Sequence, residues 1–473
     1  MRIIPLLLAP LPLFAVGVTR YAAPNGSDTQ ACDASARTSP HSLSRGIDCT
    51  GRGDTLVLLD GTYNLTSNPG IVLDYNKSGT STARTVIRGD TKWGAKLVYS
   101  GPGCFYNPFD PDQSVFPIVI RVGYYRPQNT AFIDIVNLDI SSAGGRGGAA
   151  IALYGHDSVI QGNRIHDMNC NQSCRDGFNF GVLAGALYTA EGNHQILENY
   201  VFNISLYAAG PCMEDDSIFY EQMHGRIVNN VILHGGGNAI QVRCNTGGTP
   251  DRPFYIVNNT ITNMKGGGVV YFGNSGGAGC SSNACTFDKQ HAAQYVDYLV
   301  VENNIISCGA DPNAYYSYGI YEDDVSGRGR ACMIGGHNYV KNNLVWIPNT
   351  PLAGCPATSW WTNIALSPAT IAYSGGEGGP NNPAGLGTIT ANPQYVNNTG
   401  DHNGDYHLTA GSAAVQPNLA PSTTPSSAFP LTDFDGQPRL RGNDVDLGAY
   451  EYRNPALSRG NPEPRSPARA RSR

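Results

Sequence analysis

Charge is scarce in this 473-residue chain: Asp, Glu, Lys and Arg make up only 14% of it. Helical periodicity is scarcer still. No run in the body of the chain places apolar residues at i, i+3, i+4 and i+7, which excludes a helix bundle or coiled coil. The net charge is -6 with no basic patch in the folded part, so nucleic acid is not an expected partner. Past the N-terminus no apolar run reaches membrane-spanning length, and a soluble mature protein is expected. What abounds is Gly, with 57 residues, together with Asn, Tyr, Val and Ile. That mix suits short strands and tight turns. The length alone suggests two or three domains, although some all-β architectures exceed that guideline as one unit.

The first residues, MRIIPLLLAPLPLFAVGVTR, join one Arg to an apolar stretch from Ile3 to Val18, with small residues at Ala15 and Gly17. They read as a secretory signal peptide over 1–18, too short and too Pro-broken for a membrane span. All 12 Cys lie beyond it. The close pairs Cys170/Cys174 and Cys280/Cys285 have metal-ligand spacing, but in an exported chain disulfides are the expected use. Seven N-glycosylation acceptors (Asn25, Asn64, Asn76, Asn171, Asn203, Asn258 and Asn397) fit a secreted, extracellular glycoprotein.

Seven segments share one core, apolar-apolar-x-Asn-x-apolar. They are centred on Asn137, Asn163, Asn199, Asn230, Asn259, Asn304 and Asn343, with gaps of 26, 36, 31, 29, 45 and 39 residues. A constant core with variable spacing is the mark of a solenoid whose coils carry loops of free length. β-branched residues on both sides of each Asn predict strands, stacked coil on coil into a right-handed parallel β-helix. Asn at a repeated bend predicts a ladder of side-chain amides satisfying the corner backbone.

A second column precedes the Asn segments. Aligned on one inward residue, it runs AIALYGHD on Ile151, ALYTAEG on Leu187, SIFYEQMHG on Ile218, AIQVRCN on Ile240, VVYFGNS on Val270 and GIYEDDV on Ile320. Alternation sends the residues one and three places on outward. The first outward row is then Ala152, Tyr188, Phe219, Gln241, Tyr271 and Tyr321; the next is Tyr154, Ala190, Glu221, Arg243, Gly273 and Asp323. Coils lie about 4.8 Å apart, so Glu221 and Asp323, three coils apart, have backbones roughly 14 Å apart. Side chains reaching across Gly273 narrow that to a gap for a sugar ring. Two carboxyls flanking one bond are what glycoside hydrolysis needs, one as acid and one as base or nucleophile. Arg243 between them holds a carboxylate ionised or binds an acidic sugar. Tyr154, Tyr188, Tyr271 and Tyr321 offer faces for sugar stacking, and His224 lies near the same face. Glu214, Asp215 and Asp216 form a second acidic cluster, either a Ca²⁺ cradle or an exposed loop.

The segments RYAAPNGSDTQACD and GDTLVLLDGTYNL near the start, with DFDGQPRLRGNDVDLGAYEY near the end, resemble the opening and closing segments of the pectate-lyase-like superfamily of β-helix carbohydrate enzymes. The resemblance covers about residues 20 to 453. GIYEDDVSG is similar to the GIYLDD-x-SG strand and turn of glycoside hydrolases of this fold, some acting on fucosides or xylosides. It implies an acid at Asp323 or Asp324, and departs from the pattern at Glu322, where the family has an apolar residue.

The expected architecture is one all-β domain over 19–453, opening over about 19–65 and closing over about 389–453. The basic tail 454–473 is expected to be disordered. The expected activity is a glycoside hydrolase on an extracellular or cell-wall polysaccharide, acting as a monomer without a cofactor. The alternatives are a uronate lyase or epimerase, with Arg243 as base and Ca²⁺ in the acidic loop, and a non-catalytic glycan-binding or structural protein.

Overall fold

The computed structural model describes residues 17–103, 117–124, 130–144, 146–169, 180–184, 191–206, 216–242, 247–271, 295–308, 318–322, 333–348, 362–379, 382–415, 430–439 and 445–453. Three long sheets, every pairing parallel, run the length of the molecule. Sheet A has ten strands, from Thr19–Ser27 to Tyr339–Lys341. Sheet B has nine, from Gly61–Leu65 to Leu344–Trp346, and sheet C nine, from Ile71–Leu73 to Thr362–Ala365. The chain visits A, B and C in turn once per coil. This is the right-handed parallel β-helix expected from the repeat.

The core lies inside the coil. Successive rungs of sheet A contribute Ile87, Ile135, Ile160, Ile196, Ile227, Ile256, Val301 and Val340; sheet B contributes Leu97, Ile140, Ile165, Val201, Ile232, Ile261, Ile306 and Val345. Each is buried. These inward side chains pack on those of the rungs above and below, so the inner face of each sheet is closed to water.

The corner between sheets A and B explains the Asn repeat. Asn163, Asn199, Asn230, Asn259, Asn304 and Asn343 are fully buried there. Each Oδ1 accepts from the rung before: Asn199 Oδ1 takes the backbone N–H of Asn163 at 3.0 Å and its amide at 3.1 Å, and the pattern repeats to Asn343. Each Nδ2 also donates at 2.9 Å to a sheet A carbonyl one rung earlier, from Ile135, Ile160, Ile196, Ile227, Ile256 and Val301. In the first repeat the ladder position is Leu138, whose N–H donates to Asn163 Oδ1. Asn137 is one place early and takes the left-handed site of the bend, φ 60°, as Gly162, Glu198, Asn229, Asn258, Asn303 and Asn342 do in later coils.

The Asn-Asn doublets divide the work. The second residue builds the ladder; two of the first residues hold the C-terminal segment. Asn229 Nδ2 donates to Thr432 O, and Asn258 Nδ2 to Asp446 O and Gly448 O. Asn258 is fully buried, so a glycan has no access to that acceptor in the folded chain; Asn64, Asn76 and Asn397 are exposed. The described parts of the segment between Ile389 and Tyr452 lie on the outer face of sheet B. There Tyr395, Tyr406, Phe434, Leu447 and Tyr450 pack on Phe202, Val231, Leu233, Ile305 and Leu344. Arg439, fully buried, fastens it through Glu451, Gly448 O and Asn229.

The lower end is closed by the helix Leu43–Cys49, N-capped by Ser42 and tied to Cys32 by the Cys32–Cys49 disulfide. Cys308 is also disulfide-bonded. Cys170, Cys174, Cys280 and Cys285, residues 1–16 of the segment expected to be a signal peptide, and the tail 454–473 lie outside the described residues. No described helix is long and apolar enough to cross a membrane.

Two measurements check this account. Asn230→Ala removes the acceptor of the Asn199 backbone N–H and of one Asn199 amide hydrogen, and the amide donor to the Ile196 carbonyl, and is expected to cost roughly 2–5 kcal/mol in urea unfolding. The second concerns His194, which is fully buried: Nδ1 accepts from Ser158 N–H and Nε2 meets Gln222 Oε1 at 2.9 Å. Burial lowers its pKa to about 4. Above pH 6.5 the imidazole is neutral folded or unfolded, and its contribution is complete. Below that only the unfolded chain takes the proton, so stability is expected to fall by roughly 3 kcal/mol between pH 6.5 and 4. Unfolding titrations of His194→Gln should lack that part of the slope.

Candidate functional site

Sheet C carries the second column, and its register settles which residues face out. Ile151 pairs with Val182, Val182 with Ile218, Ile218 with Ile240, Ile240 with Val269 and Val269 with Ile320. The inward place in the second coil of this column thus belongs to Val182, in the strand Phe180–Ala184, and not to Leu187. In the fifth coil it belongs to Val269 and not to Val270. The outward row is Arg121, Ala152, Leu183, Phe219, Gln241, Val270, Tyr321 and Ala365.

This shift corrects the expectation for Tyr271. Its ring is in the core, fully buried, and its hydroxyl donates to Glu322 Oε2 at 3.2 Å. With Val269 and Val270 both apolar, no polar residue marked the outward position. Tyr271 is therefore no surface for a sugar. Burial, with the Glu322 carboxyl beside it, pushes its hydroxyl pKa well up.

Glu322 points inward too, as the apolar residue of the hydrolase pattern would. It is fully buried and accepts from Ser367 N–H at 3.1 Å, Ser367 Oγ at 2.8 Å and Thr370 Oγ1 at 3.1 Å, besides Tyr271. Ser367 caps the short helix Pro368–Tyr373, whose Ile371 joins the core. The carboxyl is thus the fastening for the upper end of the coil. Burial raises its pKa, against the four donors. One acid of the EDD run is accordingly structural.

On the outer face of sheet C, two apolar patches flank a polar centre. Ile118, Ala149, Ala152, Tyr154, Phe180 and Phe219 form the lower patch. Tyr154 is 8% exposed within it, which corrects its expected display to solvent: Phe180, Phe219 and Ala152 enclose it. Val270, Tyr321 and Ala365 form the upper patch, with Tyr318 stacked on Tyr321 at 4.4 Å. Between them Asn238 Nδ2 donates to Asp216 Oδ1 and Gln241 Oε1, both at 2.9 Å. Asn238 was missed in the sequence. It stands two places before Ile240, as Asp216, read in the sequence as part of the acidic cluster, stands two before Ile218.

Glu221 sits just past the strand Asp216–Tyr220. Its N–H donates to Ala184 O at 2.7 Å, continuing the ladder, and it is half-buried at the sheet edge. His224 lies round the corner, at the start of the sheet A strand Met223–Val228, with φ 56° and Nδ1 at 2.9 Å from Arg252 O. It does not share the outer face of sheet C. Asp216, fully buried on Asn238, is not displayed as a cation ligand. Among the described residues no three His, Cys, Asp or Glu gather to hold a metal. Asp323, Asp324, Arg243, Tyr188, Glu214 and Asp215 lie outside the described residues.

No protein-family model matches the chain, and no curated protein does. Among solved structures it is similar to pectate lyase Pel9A, with 13% identity and a TM-score of 0.37 over 93% of this chain and 97% of that one. It is similar to the Dettilon tailspike protein, with 12% identity and a TM-score of 0.41 over 71% of this chain and 53% of the tailspike. A rhamnogalacturonan lyase matches with 12% identity and a TM-score of 0.30 over 68% and 87%. Two of these neighbours are named as lyases; the fold here rests on the sheet topology itself.

Glu322→Ala is expected to cost about 2–4 kcal/mol, because four donors and the helix cap lose their acceptor. Hydrogen exchange should locate the loss: amides of Thr370 to Tyr373 exchange faster, while those of Asn199 and Asn230 keep their protection. Tyr271→Phe, losing one donor, should cost only about 1 kcal/mol.

Proposed function

We propose that this protein is a secreted enzyme that hydrolyses an extracellular polysaccharide at the C-terminal edge of sheet C. One observation carries the reading. The strands Asp216–Tyr220, Ile240–Val242, Val269–Tyr271 and Tyr318–Glu322 pair consecutively in one parallel sheet. In the sequence, Glu221, Arg243 and Asp323 directly follow the first, second and fourth of them. Two carboxylates and a guanidinium, far apart along the chain, thus follow strands that fall within four successive rungs of one sheet.

In this reading Glu221 and Asp323 flank the glycosidic bond. One protonates the leaving oxygen, and the other activates water or attacks the anomeric carbon. Asp324 is the neighbouring candidate for the second carboxyl. Arg243 holds a carboxylate ionised, and Tyr318, half-buried and stacked over Tyr321, walls the upper side, while Tyr321 itself is only 8% exposed and, like Tyr154, is not displayed as expected. Hydrolysis needs no metal. The eliminative alternative would recruit Glu214, Asp215 and Asp216 for Ca²⁺, and Asp216, buried and bonded to Asn238, fits that task poorly.

Incubation with a panel of plant and microbial polysaccharides, followed by reducing-end assay and at 235 nm, tests the proposal. New reducing ends without ultraviolet absorbance are expected. Glu221→Gln and Asp323→Asn should each lower the rate roughly 10²–10⁴-fold while the protein stays folded. Absorbance at 235 nm would mean elimination, and full activity in either variant would remove the pair.

A further inference from the structure

Round the corner from that edge, where the chain passes from sheet C to sheet A, stands a cluster of rings. Tyr298 directly precedes the sheet A strand Leu299–Glu302. Its ring stacks on that of His337, one coil on, with centroids 4.6 Å apart and planes parallel. Tyr373, at the end of the helix Pro368–Tyr373, meets His337 edge-on at 5.4 Å. His337 and Tyr373 are about half exposed, at 48% and 49%.

Three features set this cluster apart from incidental surface aromatics. Tyr298 has φ 51°, the left-handed region, where earlier coils place Phe132, Asp157, Asn193 and His224. A bulky ring there is costly, and such strain collects at functional positions. Next, His337 is aimed: Asp297 accepts both its backbone N–H at 2.8 Å and its Nδ1–H at 2.9 Å. Gly335 makes room for that carboxylate, since a Cβ there would lie 2.0 Å from Asp297 Cγ. Finally, the outward polar edges are unused: His337 Nε2 and the hydroxyls of Tyr298 and Tyr373 have no hydrogen-bond partner among the described residues.

We propose that Tyr298, His337 and Tyr373 form a binding platform for one or two sugar rings of a polysaccharide, outside the cleavage site. Aromatic faces take the C–H face of a pyranose, and free Nε2 and phenol groups at the rim take its hydroxyls. Tyr298 and His337 stand at the corners that follow the strands Val269–Tyr271 and Tyr318–Glu322 in the chain, so a polymer crossing the edge of sheet C and bending onto sheet A meets the platform. The identity of the occupant rests on the polysaccharide-hydrolase reading.

Tyr298→Asn separates a binding role from a structural one. Asn suits left-handed backbone, so this variant should melt at the same temperature as the unaltered protein or higher. In native gels cast with xylan, arabinogalactan, β-glucan or polygalacturonate, its affinity should fall about three- to tenfold, as should that of Tyr373→Ala. Rates on a short soluble oligosaccharide should not change. Loss of folding in Tyr298→Asn would make the stack a mere fastener of the helix, and unchanged retardation of both variants would overturn the platform. So would the absence of any retardation of the unaltered protein. Retardation without cleavage of any glycan would instead remove the hydrolase reading and leave the platform standing.

Discussion

Every coil of this molecule must turn from sheet A into sheet B, and the turn exposes backbone donors and acceptors where water cannot reach. The stacked Asn side chains solve this, each amide spanning the rungs on either side of its own. Because the ladder's repeat is set by the spacing between strands, about 4.8 Å, one Asn per coil at one bend fixes the coils in register. The rest of each coil is then free to vary. Gaps of 29 to 45 residues between successive ladder Asn are tolerated because the cost of loop closure grows slowly with length.

The same constraint distributes function round the coil. Sheet B is covered by the C-terminal segment, held by the left-handed Asn229 and Asn258 of the doublets. Its buried Arg439 leaves that face little freedom. The upper end is sealed by a helix whose cap residue is tied to Glu322. The edge of sheet C remains, followed in the chain by the 23 residues between Tyr271 and Tyr295 and the 10 between Glu322 and Met333. Chemistry on loops held by a rigid scaffold is the common arrangement.

The fold was legible because its signal is repeated. Any one NN pair reads as a turn, but a column of Asn flanked by β-branched residues reads as a solenoid. The outer face was less legible, for reasons that can be named. GGGVVYF offers two adjacent valines, so alternation could be started on either, and choosing Val270 turned Tyr271 the wrong way. ALYTAEG imitates the strand that FGVLA provides. Glu322 was read as a departure because a buried carboxylate is rare, and its donors, Ser367 and Thr370, lie 45 and 48 residues away. The closing segment was recognised by its sequence, but no periodicity says that it lies against sheet B, since that contact is between coils and a single return of the chain.

Whether acids from separate coils meet one glycan at the edge of sheet C is tested most directly by a crystal structure of Glu221→Gln soaked with an oligosaccharide of the cleaved polymer. The expected result is a row of sugar units lying across the ends of the four strands from Asp216–Tyr220 to Tyr318–Glu322. The substituted side chain at position 221 and the carboxylate of Asp323 should stand on opposite sides of one glycosidic bond. A sugar chain bound on another sheet, or one that touches only one of the two residues, would contradict this placement of the chemistry.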